Sequence, residues 1–178
     1  MISRSKISIE VSTITKGALM LALIYIFFFL FKGVTNIFNA FLVPITLYVF
    51  SKGKNRQEKL LIYGVLITFC ALFYNIQVVF VTFYCAIAYL LNSLNNNKKL
   101  NKVFTIIILS TAISLSFWVA IILTDYIFLT RINAIMMQVL KNNIIAYGII
   151  FFIEGAVIGL ILLFLSNKFD RYQPYMDK

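Results

Sequence analysis

The chain has 178 residues, of which 62% are hydrophobic and only 12% charged, and its formal net charge at pH 7 is +10. So few polar side chains cannot cover a water-soluble core of this size, which excludes an ordinary soluble globular domain and places the chain in lipid. Nucleic acid is not expected as a partner, because the basic residues sit in short stretches beside apolar runs, where orientation in a membrane and contact with lipid headgroups account for them.

A crossing of roughly 30 Å of hydrocarbon takes about 17 to 25 mostly apolar residues. The candidates in chain order are 17–31, 34–50, 60–74, 76–91, 103–124 and 144–165. Arg4, Lys6 and Lys16 precede the first run. That run is long and bulky and no small-x-small cleavage site follows it, so it reads as an uncleaved helix with a cytoplasmic lead-in rather than a signal peptide. The second run, FNAFLVPITLYVF, carries Pro44, which removes the amide that would bond to the carbonyl of Ala40 and should bend the helix. Lys52, Lys54, Arg56 and Lys59 follow it.

Residues 60–91 form one nearly unbroken apolar stretch. As a single helix it would be about 48 Å long, far more than one crossing, so it must fold back. Tyr74, Asn75 and Gln77 are the polar cluster near its middle and mark the reversal. The segment NSLNNNKKLNK, with Lys98, Lys99 and Lys102, reads as a solvated cytoplasmic loop. The fifth run carries Ser110, Ser114 and Trp118 four residues apart. Residues 125–143 are too polar to cross, but Ile132, Ile135, Met136, Val139 and Leu140 recur at spacings of three and four between Arg131, Asn133, Gln138 and Lys141. That is the pattern of an amphipathic helix, lying in the headgroup layer or as a lid over the bundle. The sixth run ends at Lys168, Arg171 and Lys178.

Basic and nearly uncharged connections thus alternate along the whole chain, and only Lys32, Arg131 and Lys141 fall on the second side. Basic loops stay in the cytoplasm. The expected fold is an all-α integral membrane protein, a six-transmembrane-helix bundle with both termini inside (N-in/C-in) and an extracellular amphipathic helix between helices 5 and 6. Residues 1–178 form a single membrane domain, with 1–16 as lead-in, 17–166 as the helix bundle and 167–178 as a cytoplasmic tail.

Catalytic equipment is sparse. The chain has no His, which removes His-based nucleophilic pairs, proton relays and zinc sites. Its acids, Glu10, Glu58, Asp125, Glu154, Asp170 and Asp177, are widely spaced, and no phosphate-cradling glycine pattern appears. Cys70 and Cys85 lie inside apolar runs as small hydrophobes. No enzyme, cofactor or metal site is expected, so any energy for work must come from a partner or an ion gradient.

Glu154 is the one ionisable group near the middle of a span, where charge is costly and an acid is by default functional. Tyr147 and Phe151 lie on its face, seven and three residues earlier. One reading is a carboxylate that binds an amine or hydroxyl of a substrate or accepts a proton. The other is a neutral acid hydrogen-bonded to a Ser or Thr of a neighbouring helix, such as Ser114 or Thr111. Trp118 either stacks on a ligand ring or anchors the interface. Asn36, Asn39, Tyr74, Asn75, Gln77, Asn142 and Asn143 gather at the outer ends of the spans, where they suit a small neutral ligand arriving from outside or ordinary interfacial solvation. The candidate substrate-binding set is Glu154, Tyr147, Trp118, Gln77, Asn75 and Asn36. Ala18-x-x-x-Ala22 and Gly155-x-x-x-Gly159 each clear a helical face for close approach, within the bundle or to another protein.

Six short helices in under 200 residues with both ends inside resemble the S components of energy-coupling factor transporters. The opening KGALMLALIYIFFF is similar to that family's first helix, in which an Ala-x-x-x-Ala motif faces the coupling partner; Ala18 and Ala22 match it. LVPITLYVFSKGKNRQEKLLIYGVLITF is similar to the family's second helix, basic-glycine loop and third helix, with Pro44 and Gly53 suitably placed. The connection around Lys32 to Asn36 is shorter than the family's gating loop, and no vitamin-binding motif is present, so the resemblance carries over no ligand. It implies a substrate-capture subunit in the bacterial cytoplasmic membrane, taking up a vitamin or other micronutrient together with a transmembrane coupling subunit and ATPases. The chain also resembles YybS-like membrane proteins and the cell-shape protein MreD, which imply a non-transporting scaffold. A peptide-immunity membrane protein is a further alternative.

Overall fold

The computed structural model describes residues 3–31, 37–96 and 101–176, and among them every regular element is an α-helix. The helices are α1 (Ser3–Leu30), α2 (Ile37–Ser51), α3 (Arg56–Phe73), α4 (Gln77–Asn96), α5 (Lys102–Phe128), α6 (Ile132–Val139) and α7 (Ile144–Met176). Asn36, Lys32, Lys98, Lys99 and Lys178 lie outside the described residues. Helices α4, α5 and the Ile144–Tyr172 part of α7 are long and apolar enough to cross a membrane, and Thr15–Leu30 and Ile37–Ser51 are shorter apolar helices. Large hydrophobic side chains cover the outside of the bundle, among them Leu72, Phe104, Ile107, Tyr126 and Ile145. A surface of that kind suits hydrocarbon, not water.

Local capping sets the helix starts. Asn55 accepts a hydrogen bond from the Glu58 amide (2.8 Å) while the Glu58 carboxylate accepts from the Asn55 amide (2.9 Å), a reciprocal box that starts α3 within the basic loop, four residues before the apolar run at Leu60. Asn101 caps α5 by accepting from the Val103 amide, and Asn143 starts α7 by accepting from the Ala146 amide. The break between α3 and α4 falls at residues 74–76, at the Tyr74–Gln77 cluster.

Helices α1 to α5 and α7 alternate in direction. Tyr25 and Phe28 near the end of α1 meet Tyr74 at the end of α3, with ring centroids 5.8 and 5.3 Å apart. Tyr63 in the first half of α3 instead meets Ser51 at the end of α2. The ends of α2, α4 and α7 lie together, and α5 runs against them. The α2–α3 connection with Lys52 to Lys59, the start of α5 at Lys102 and the Lys168–Arg171 part of α7 therefore share one end of the bundle, while α6 with Arg131 and Lys141 marks the other.

Polar side chains tie the basic end together. Asp170 accepts from the Tyr48 hydroxyl (2.7 Å) and forms an ion pair with Lys52. The Asn95 amide donates to Tyr48 Oη and Ser166 Oγ, each at 3.0 Å, and the Asn92 amide donates to Ser51 Oγ (3.0 Å), which also meets Tyr63 Oη (3.2 Å). Four helices are joined this way. This corrects the expectation of a solvated loop over NSLNNNKKLNK: α4 continues to Asn96 because the amides of Asn92 and Asn95 find partners inside the bundle, and Asn92 is buried. Helix α7 runs on past residue 166 to Met176, and α1 begins at Ser3.

The tightest seam joins α5 to α7. A Cβ on Gly155 would overlap Ser114 Oγ and lie 2.7 Å from the Ser110 carbonyl oxygen; one on Gly159 would lie 3.0 Å from Ser110 Oγ. The two glycines of the Gly155-x-x-x-Gly159 pattern thus admit the two serines, and packing within the bundle is the use the structure makes of them. Ser114 Oγ reaches the carbonyls of Ser110 (2.8 Å) and Phe151 (2.9 Å), the second across the seam.

Candidate functional site

A cavity of about 180 Å³ lies at the α6 end of the bundle. Helix α2 contributes Ala40, α4 contributes Phe80 and Tyr84, α5 contributes Phe117 and Ile121, α6 contributes Met136, and α7 contributes Phe151 and Glu154. The spacing explains the convergence: the pairs on α4, α5 and α7 are three or four residues apart, one turn of helix, so each pair presents one face. Tyr84 and Phe117 stand edge to face, centroids 6.2 Å apart at 83°, which fixes two of the rings across the α4–α5 contact.

Glu154 is half-buried and is the one ionisable carboxylate of the lining. Neither of its oxygens meets a hydrogen-bond or ion-pair partner among the described residues. Ser114, expected as a possible neighbour for it, is committed to backbone carbonyls, and Thr111 is exposed. The reading of Glu154 as an acid satisfied by a neighbouring hydroxyl is therefore corrected: the short Ser114 side chain is drawn into the glycine seam instead.

Helix α6 borders the cavity through Met136. It has no buried residue of its own and is held from below. The Asp125 carboxylate, on the last turn of α5, accepts from the amides of Ile132 (2.9 Å) and Asn133 (2.8 Å) and from the Thr130 hydroxyl. A carboxylate at this position meets both the orphan amides and the positive end of the α6 dipole. Leu129, at φ 52°, makes the reversal between α5 and α6 in the left-handed region that side chains of its kind disfavour. On the other flank the Tyr147 hydroxyl donates to Asn133 Oδ1 at 2.7 Å, and the Tyr147 ring packs edge-on against Phe151 with centroids 4.8 Å apart.

No protein-family model matches the sequence, and no curated protein or solved structure matches it.

The candidate set divides accordingly. Glu154 lines the cavity, and Tyr147, 5% exposed, sits one turn above Phe151 and spends its hydroxyl on α6, so it positions the lid rather than facing the cavity. Trp118 is 45% exposed and outside the lining; its neighbour Phe117 faces inward in its place. Asn75 is exposed in the α3–α4 turn and Gln77 opens α4, neither of them lining the cavity, and Asn36 lies outside the described residues. The cavity wall is mostly apolar and aromatic, in place of the ring of amides expected from the outer ends of the spans. Ala18 and Ala22 are both exposed on α1, away from the bundle interior. Phe80, Tyr84 and Phe117 were not singled out from sequence, since aromatic residues pervade every apolar run and only their convergence in three dimensions separates them.

Proposed function

We propose that this chain is the substrate-capture subunit of an importer of the energy-coupling factor type, a six-span protein of the cytoplasmic membrane with both termini inside. It holds a small molecule from the outer side in the cavity beneath α6. The observation that carries the reading is Glu154, a carboxylate without an internal partner that lines an aromatic cavity at the end of the bundle opposite the basic loops. A scaffold has little use for a half-buried acid without an internal partner, because a polar group at this depth costs stability unless it serves a ligand. The alternating direction of the long helices, with the basic connections at one end, supports the even number of crossings. The exposed face of α1 around Ala18 and Ala22 is available to a coupling subunit. Transport energy comes from partner ATPases.

The test is extraction. Wild-type protein purified in mild detergent and then denatured should release a small molecule in near-stoichiometric amount. The Ala40→Leu variant, which puts three further carbons into the cavity wall, should release much less. Equal release from both proteins, or none from either, would leave the capture reading without support.

A further inference from the structure

We propose that the occupant of the cavity is a small primary organic ammonium ion, of about seven to nine non-hydrogen atoms, paired with Glu154 and packed against the surrounding rings. The inference rests on the capture reading and names the substrate class. Size comes first: an apolar cavity of about 150 Å³ holds one benzene molecule, and this one measures about 180 Å³. It takes a ring or short chain with one small polar group.

Charge comes next. The lining contains one carboxylate and no basic residue. An anionic ligand would set like charge against Glu154, and a hydrocarbon would leave the carboxylate desolvated and unpaired. An ammonium ion removes both costs. Phe80, Tyr84, Phe117 and Phe151 add four ring systems whose faces attract a cation, most strongly where water is excluded.

The hydrogen-bonding capacity of the wall points the same way. The Tyr84 hydroxyl makes no hydrogen bond to another described residue. The acceptors available are the Glu154 carboxylate and the Tyr84 oxygen, against a single side-chain donor, the Tyr84 hydroxyl. A wall rich in acceptors and poor in donors fits a ligand that brings several N–H groups, and a primary ammonium brings three.

The experiment uses the full chain in lipid nanodiscs and equilibrium dialysis with benzylamine, benzyl alcohol and benzoate, which share a ring and differ in charge, with empty nanodiscs as the reference for lipid partitioning. Benzylamine should bind at least about 10-fold more tightly than benzyl alcohol, and benzoate should not bind above the reference. Glu154→Gln should weaken benzylamine by about 30-fold or more while benzyl alcohol changes by less than about 3-fold, which also confirms that the variant is folded. Benzyl alcohol or benzoate binding as well as benzylamine overturns the cation assignment, and so does benzylamine binding that survives Glu154→Gln. Absence of binding by all three probes overturns it as well. None of these outcomes touches the capture reading, which stands or falls on the extraction from wild type and Ala40→Leu.

Discussion

Replacing Gly155 by Ala tests whether the α5–α7 seam is as close as its geometry implies. The added Cβ would overlap Ser114 Oγ and come within 2.7 Å of the Ser110 carbonyl oxygen and 3.0 Å of the Ser114 amide nitrogen. The hydroxyl can rotate away; the backbone atoms cannot, so the helices must part. Overpacking of this kind costs about 1–3 kcal/mol, and moving Ser114 Oγ off its two carbonyls costs about 1 kcal/mol more. Against that, Ala gains about 1 kcal/mol over Gly within a helix. The net is a loss of about 1–3 kcal/mol, or roughly 2–12 °C in melting midpoint for a chain of this length. Gly148 has nothing within 4 Å of a built Cβ, so Gly148→Ala keeps only the gain and should melt a few degrees higher. Gly159→Ala meets chiefly the end of the Ser110 side chain, at 3.0 Å, and should fall between. Thermal unfolding in one detergent, followed by loss of the monodisperse size-exclusion peak, ranks the three variants. Adding Ser114→Ala to Gly155→Ala should recover part of the loss and no more, because the Ser110 carbonyl remains in the way. If Gly155→Ala melts with Gly148→Ala, the seam is looser than described and the reasoning fails.

Two further outcomes follow from the site. Asp125→Ala removes the acceptor of two α6 amides, and hydrogen bonds to a charged group are worth about 1.5–3 kcal/mol; amide exchange at Ile132 and Asn133 should accelerate by roughly 10- to 100-fold, whereas unchanged exchange would mean that α6 is held by something else. Ala18→Trp combined with Ala22→Trp should abolish co-purification of a coupling subunit and leave benzylamine binding intact, since both positions are exposed and outside the cavity lining; undiminished assembly would remove α1 as the docking face.

The reversal at Tyr74 to Gln77 was legible in the sequence because no single helix of that length fits one crossing, and Glu154 was legible because an acid inside an apolar run is rare. The amphipathic stripe likewise marked α6, although Asp125, read with that polar segment, belongs to the last turn of α5. Trp118 was misplaced for a geometric reason. Steps of four residues advance 400° around a helix, so a stripe drawn through Ser110, Ser114 and Trp118 drifts by about 80° from first to last. Burial follows that drift, from Ser110 at 2% exposure through half-buried Ser114 to Trp118 at 45%. Asn92 and Asn95 were hidden for a different reason: hydropathy counts an amide as solvated wherever it stands, and only the positions of Ser51, Tyr48 and Ser166 on other helices reveal their partners.

The two ends of the bundle are secured by different means, and that difference decides which of them opens at the lower cost. At the basic end, side chains from α2, α3, α4 and α7 form two sets of bonds, one around buried Ser51 and Asn92 and one around Tyr48 and buried Ser166, and separating those helices would strand several polar groups away from water. Between α5 and α7 the glycine seam leaves no slack, since Ser110 and Ser114 fill the space that side chains would otherwise occupy. Helix α6 contributes no fully buried residue: it rests Ile132, Met136 and Met137 part-buried on the core and is tied at the rim by Asp125 and Tyr147, where water can take over each bond as it breaks. Displacing α6 lifts Met136 off the cavity while the rings of α4, α5 and α7 stay in register around Glu154. The route of least cost into the cavity therefore runs beneath α6, past the Asp125 tether.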